Sequence, residues 1–317
     1  MELESSSNID IGGGTQLTIS YTFGPTNIVG TLRPPPDLVL LSRDSVVFYA
    51  DEATLLQVSN NSFKSLLPLM TDDTSNRILF MQEIPSSELD FMLQAIYDVP
   101  GNVVPALTDI HTLLRAVDHL PVFGISPSTR ISPTSYLYQY LESCAPLYPF
   151  EIYALAAQYN IETLAITISA HTLALELSQI SEDLSKRMGP TYLLRLFHLH
   201  GGRTEALKRL LAAELEHHKT TDHCDYNGQK RLTKGWSLAV ASMLFSIKPG
   251  QYKLCLPNRR TLTAASFPSQ ATSNTIIRDA IMEYTSELTC PDCIKVRDTR
   301  LARVISEWTL VSRTINP

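Results

Sequence analysis

Between Leu17 and Phe23 apolar and hydroxyl-bearing residues alternate at period two, with strand-forming side chains at nearly every position. The alternation predicts a half-buried strand carrying Leu17, Ile19, Tyr21 and Phe23 on one face. Gly24-Pro25 stops it, and Pro34-Pro35-Pro36 forms an extended spacer. Beyond Asp37 the apolar residues come in runs. Leu38 to Leu41 and Val46 to Tyr49, separated by Ser42-Arg43-Asp44-Ser45, predict a hairpin. Leu55, Val58, Phe63, Leu66 and Leu67 then recur at helical intervals on either side of Ser59-Asn60-Asn61, a natural break and N-cap cluster. Arg77 to Met81 predicts another short strand. Ser87-Glu88-Leu89-Asp90 has the form of a helix start, followed by one apolar stripe of Leu89, Met92, Leu93, Ile96 and Tyr97.

The second half carries helical periodicity throughout. Ile152, Leu155, Ala156 and Tyr159 make one face and Ile161, Leu164, Ile168 and Leu175 another, while Met188-Gly189-Pro190 closes a later segment. Tyr192, Leu193, Leu196 and Phe197 run to Gly201-Gly202, and Ala206, Leu207, Leu210 and Leu211 follow. Further stripes lie at Trp236 to Leu244, Ile276 to Tyr284 and around Val304 to Trp308, with no repeat of fixed period. A length of 317 residues suits about two domains. The pattern divides them into a tail with one extra strand and a Pro-rich spacer (1–33, its first 14 residues expected to be mobile), an α+β domain (34–125) and an all-α domain (126–317).

The order strand, strand, helix, helix, strand, helix resembles the BTB/POZ domain. The likeness is carried by Asp37-Leu38-Val39-Leu40, Val46 to Tyr49, Ala53-Thr54-Leu55 leading to Ser59 and Ser62-Phe63, Ile78-Leu79-Phe80, and Leu89 through Ile96-Tyr97. It departs from the pattern where the His-Lys pair usual before the first helix is here Asp51-Glu52, so functions needing a basic side chain there do not carry over. The segments Tyr153 to Ala157, Arg187 to Pro190, Ala206 to Leu210, Gln229 to Thr233 and Trp308 to Val311 are similar to BTB-containing proteins abundant in fungi. The resemblance implies homodimerisation or binding of a scaffold partner, with no known chemistry. Met70-Thr71-Asp72 falls where some BTB domains place a hydrophobic-x-acid triplet that docks on a cullin-type ubiquitin ligase scaffold. The residues expected at an interface are Leu17, Ile19, Tyr21 and Phe23 of the extra strand and Leu55, Val58 and Phe63 of the helical pair.

Composition narrows the function classes. Hydrophobic residues make up 44 % and charged residues 18 % of the chain, enough for a sizeable core. A net charge of -6 argues against a protein built to grip nucleic-acid backbones, and Arg203, Lys208, Arg209, Lys230, Arg231 and Lys234 read as solvated helix faces. No apolar run reaches the roughly 18 residues that span a bilayer. The acidic N-terminus lacks the features of a secretory signal. Five cysteines, an odd and sparse set, suit a reducing compartment, cytoplasmic or nuclear. Cys290-Pro291-Asp292-Cys293 is the sharpest local motif: two thiolates at this spacing can ligate zinc, completed by Cys224 and one of the histidines around it, of which His223 is the expected ligand. A redox dithiol is a further reading of the same pair. With no G-x-S-x-G, H-E-x-x-H or P-loop, the chain reads as a non-enzymatic adaptor without a required cofactor. The alternative is a zinc-stabilised structural or enzymatic protein built on Cys224, Cys290 and Cys293.

Overall fold

The computed structural model of the chain describes residues 8–9, 17–25, 34–69, 77–99, 109–246 and 274–315. The hairpin forms where the apolar runs place it. β1 (Asn8–Ile9) and β2 (Leu17–Ile19) precede β3 (Leu38–Ser42) and β4 (Val46–Ala50), which pair antiparallel with Leu40 opposite Phe48. β4 leads into α1 (Glu52–Val58), a single turn α2 (Ser62–Ser65) whose four residues all have positive φ, β5 (Ile78–Met81), α3 (Ser86–Tyr97) and α4 (Ile110–His119). β5 lies parallel to β3, giving a mixed sheet in the order β1-β2-β4-β3-β5. The protein is therefore of the α+β class: among the described residues its sheet lies in the first 81 and the elements that follow are helices.

Acidic side chains seat the helices. Asp51 caps α1 by accepting from the Thr54 N–H (2.7 Å), and the Tyr97 hydroxyl donates to the same carboxylate (2.9 Å). Glu52 is buried and paired with Arg77, which also reaches Asp37 at 2.7 Å. The acidic pair at 51 and 52 thus joins β4, β5 and α3, a structural role that a basic pair could not fill. Sequence placed the start of α3 at Ser87. With Ser87 expected as the N-cap, the observed N-cap at Pro85 lies two residues earlier, because Asp44 in the β3–β4 turn accepts from the Ser86 N–H (2.7 Å) and hydroxyl (2.6 Å), capping the helix from outside it. Partial burial pulls the Asp44 pKa upward, but the Ser86 and Ser42 hydroxyls and the Ser86 N–H outweigh it and hold the carboxyl below its ordinary 3.8.

The chain divides into two compact units, 1–164 and 165–317, so the boundary falls later than the expected 125/126. The reason is packing within the first unit. α5 (Pro127–Arg130), α6 (Tyr136–Cys144) and α7 (Pro149–Gln158) fold with the sheet: the Tyr140 ring meets Phe91 of α3 at 6.0 Å, and the Tyr159 hydroxyl donates to Asp118 of α4 at 2.7 Å. α8 (Glu162–Thr172) carries the boundary.

In the second unit α9 (Glu182–Ala212), α10 (Tyr226–Ser246), α11 (Asn274–Tyr284) and α12 (Pro291–Leu310) surround a core of Leu207, Leu211, Trp236, Ala239, Met243, Ile277, Ile281, Leu301, Val304 and Trp308. α9 breaks its helical backbone where Met188-Gly189-Pro190 predicts a stop, but runs through the second expected break at Gly201-Gly202. It kinks at Gly189 (φ +68°) before Pro190 and continues across Gly201-Gly202, because its buried stripe of Leu196, Leu199, Leu207 and Leu211 outweighs the cost of two glycines, about 1 kcal/mol each. Two arginines close the packing. Arg300 of α12 donates to the Leu210 carbonyl near the end of α9 (2.6 Å), and Arg203 of α9 donates to the carbonyls of Val311 and Ser312 at the end of α12 (2.8 and 2.7 Å) while its guanidinium lies 4.3 Å from the Trp308 ring centre. Arg203, expected on a solvated face, is thus buried. Its removal from water is the leading cause that lowers its pKa to about 10, with Arg313 adding repulsion.

Candidate functional site

The second unit brings three thiols and an imidazole to one point. Cys224 closes a tight turn in which Thr221 and Cys224 exchange backbone hydrogen bonds at 3.0 and 3.1 Å, just before α10. Cys290 occupies the N-cap of α12, with Pro291 at the first helical position, where its fixed φ and missing N–H cost nothing. One turn later Cys293 is buried against Leu232 of α10. The Sγ atoms of Cys224 and Cys293 stand 3.6 Å apart, and His218 Nε2 lies 3.3 Å from Cys293 Sγ and 3.7 Å from Cys290 Sγ. All four donor atoms lie within 4.8 Å of one another.

The histidine in the group is His218 and not the expected His223. Asp222 and His223 form the tip of the Thr221–Cys224 turn, which leaves His223 exposed. His218 comes from the segment between α9 and α10 and is held from both sides: its Nδ1 lies 2.6 Å from the Lys219 carbonyl, and its own carbonyl accepts from the buried Gln229 side chain at 2.7 Å. A carbonyl can only accept, so Nδ1 carries the proton and the Nε2 lone pair faces the sulfurs. His217 turns to Thr233 instead (3.1 Å). Nothing in the sequence separates three histidines within seven residues; the turn geometry does.

Electrostatics set the thiols apart. Burial, reinforced by hydrogen bonding with Cys224 and Cys290, pushes the Cys293 thiol up to about 12. Burial raises Cys224 as well, whereas the Cys293 N–H, pointing at Cys290 from the helix start, lowers Cys290. Three thiolates this close repel one another, so all three ionise together only around a cation.

Comparison of the chain with protein-family models, curated proteins and solved structures finds no match in any of them. The residues therefore carry the functional argument alone.

The residues expected at an interface fall elsewhere than the alternation placed them. Only residues 17–19 form a strand, which pairs parallel with β4 of the same chain, Ile19 opposite Val47. After it the chain turns: the Ser20 hydroxyl accepts from the Phe23 N–H (3.1 Å), Phe23 is fully buried 5.9 Å from the Tyr97 ring, and Tyr21 is 75 % exposed. Leu17 and Ile19 are half-buried. Leu55 and Phe63 fill the core of the first unit, with Phe63 4.6 Å from the Phe123 ring, and Val58 is half-buried. Met70-Thr71-Asp72 and most of residues 1–14 lie outside the described residues, although Asn8–Ile9 forms a strand. The sequence reading missed β5 as a surface. Its outward side chains are Ile78 (43 % exposed) and Phe80 (60 %), and among the described residues its outer edge pairs with no strand. The segment Arg77 to Met81 was read only as a short strand; the run Ile78 to Met81, with no polar residue to face solvent, was the available signal. No helix of the described residues is long and apolar enough to cross a membrane.

Proposed function

We propose that the chain is a non-enzymatic interaction adaptor whose first unit acts as a BTB/POZ-type module and self-associates through the β5 edge. The observation that carries this reading is the terminal strand β5, which presents Ile78 and Phe80 to solvent and whose outer edge, among the described residues, pairs with no strand. Such an edge pairs with another strand unless it is blocked, and antiparallel pairing of two β5 strands about a two-fold axis is self-complementary. The order of hairpin, short helix, left-handed turn, parallel strand and helix supports the resemblance, which implies homodimerisation. The four described cysteines are free thiols, which suits a cytoplasmic or nuclear adaptor.

Light scattering of the full chain, with cross-linking mass spectrometry, tests the reading. The expected result is a dimer that becomes a monomer with unchanged circular dichroism in the Ile78→Glu, Phe80→Glu double variant. A full chain monomeric at every concentration, or a dimer indifferent to the double variant, overturns it.

A further inference from the structure

We propose that His218, Cys224, Cys290 and Cys293 form a structural zinc site that ties the α9–α10 connection to the first turn of α12. The proposal goes beyond the interaction reading and stands independently of it. A tetrahedral zinc ion with sulfur at about 2.3 Å and nitrogen at about 2.0–2.1 Å requires neighbouring sulfurs about 3.8 Å apart and sulfur–nitrogen separations of about 3.5 Å. The separations of 3.6 Å between Cys224 and Cys293 sulfurs, and of 3.3 and 3.7 Å from His218 Nε2 to the Cys293 and Cys290 sulfurs, fit that tetrahedron to within a few tenths of an ångström. Thiols packed only as small apolar groups have no need of these distances, nor of a fourth donor of different chemistry at the same spacing.

The donor set selects the ion. Thiolates and imidazole favour zinc over magnesium or calcium, which take oxygen ligands. Four protein ligands fill the coordination sphere and leave no position for water or substrate, so the site is structural. The surroundings are those of a ligating histidine: one ring nitrogen is fixed on a backbone carbonyl, which directs the other inward. Gly228, one turn into α10, adds an independent constraint. A Cβ there would stand 2.9 Å from Cys224 Sγ, so only glycine lets the helix pass while the sulfur keeps its place. A cleft lined by His223, Asp225, Asn227, Arg231, Leu288 and Thr289 opens onto Cys224 and Cys290 and supplies an entry path.

The test is elemental analysis and cobalt substitution of the full chain, purified reduced and without a metal-binding tag. The expected result is a single zinc ion per chain and, after exchange, the intense visible bands and sulfur-to-cobalt charge transfer of a tetrahedral thiolate site. His218→Ala, Cys290→Ser and Gly228→Ala should each weaken zinc binding by about tenfold or more against a chromophoric chelator. His223→Ala should leave it unchanged, and His218→Cys should retain the metal with a cobalt charge-transfer band strengthened by the fourth sulfur. Should a variant fail to fold, the cobalt spectrum of the unaltered chain decides. A reduced chain without stoichiometric zinc, a cobalt spectrum lacking tetrahedral bands, or loss of metal in His223→Ala but not in His218→Ala overturns the proposal.

Discussion

Asp90 offers a test in which the sign, size and pH window all follow from its surroundings. It lies on α3 and is half-buried, accepting hydrogen bonds from the Gln94 amide and from the hydroxyls of Thr22 and Ser20 in the turn after β2. Burial is the dominant influence and raises its pKa from 3.8 to about 6, against the hydrogen bonds, which lower it. Below about 3.8 the carboxyl is protonated in both the folded and unfolded chain and costs nothing. Between 3.8 and 6 the unfolded chain releases the proton first, so stability falls as pH rises, and above 6 the full penalty applies. At about 1.4 kcal/mol per pH unit it amounts to about 3 kcal/mol. The substitution Asp90→Asn escapes that penalty but offers the two hydroxyls a neutral oxygen, a loss of about 1 kcal/mol. The variant should therefore be about 2 kcal/mol more stable than the natural chain at pH 7.5 and no more stable at pH 3.5. Urea unfolding followed by circular dichroism measures the difference. A gain equal at both pH values, or destabilisation at pH 7.5, would refute the reasoning.

Asp44→Ala removes the external cap of α3 and should cost about 1–2 kcal/mol near neutral pH. Because the folded-state pKa of Asp44 is lowered, that cost is present above about 3.8 and disappears as pH falls through the folded value, which paired melts at pH 7 and pH 3 would show. In α10, Gly235→Ala gains about 1 kcal/mol of helix propensity but drives a Cβ to 2.6 Å from the Tyr284 carbonyl oxygen. Overpacking of about 1–3 kcal/mol should prevail, read as a lower urea midpoint in tryptophan fluorescence, and a higher midpoint would count against the close α10–α11 approach.

The elements that were legible in the sequence are those in which local pattern and tertiary environment agree. The β3–β4 hairpin needs only two apolar runs and a polar turn, and α3 only a stripe at helical spacing. Phe23 shows where agreement ends: its place in the alternation assigned it to the face of Tyr21, but a local Ser20 hydrogen bond turned the chain and the core claimed the ring. Asp44 could not be read as the cap of α3, since it lies 42 residues from the N–H it accepts. In the cysteine–histidine cluster the C-x-x-C pair and Cys224 were visible as donor types, but selecting His218 over His223 required knowing which residues form the tip of a two-residue turn. Arg203 was assigned to a solvated face because charge patterning along one helix does not reveal a carbonyl more than 100 residues away.

The exchange of arginines between α9 and α12 bears on how the second unit opens. Helix C-termini ordinarily fray one by one, each losing only its own last carbonyls to water. Here the end of each helix is secured by a side chain rooted in the other, so loosening α9 at Leu210 withdraws the support that Arg300 gives, and loosening α12 at Val311 does the same for Arg203. The two ends form a mutual latch. In hydrogen exchange the terminal amides of both helices should open together, as one cooperative event with a common free energy.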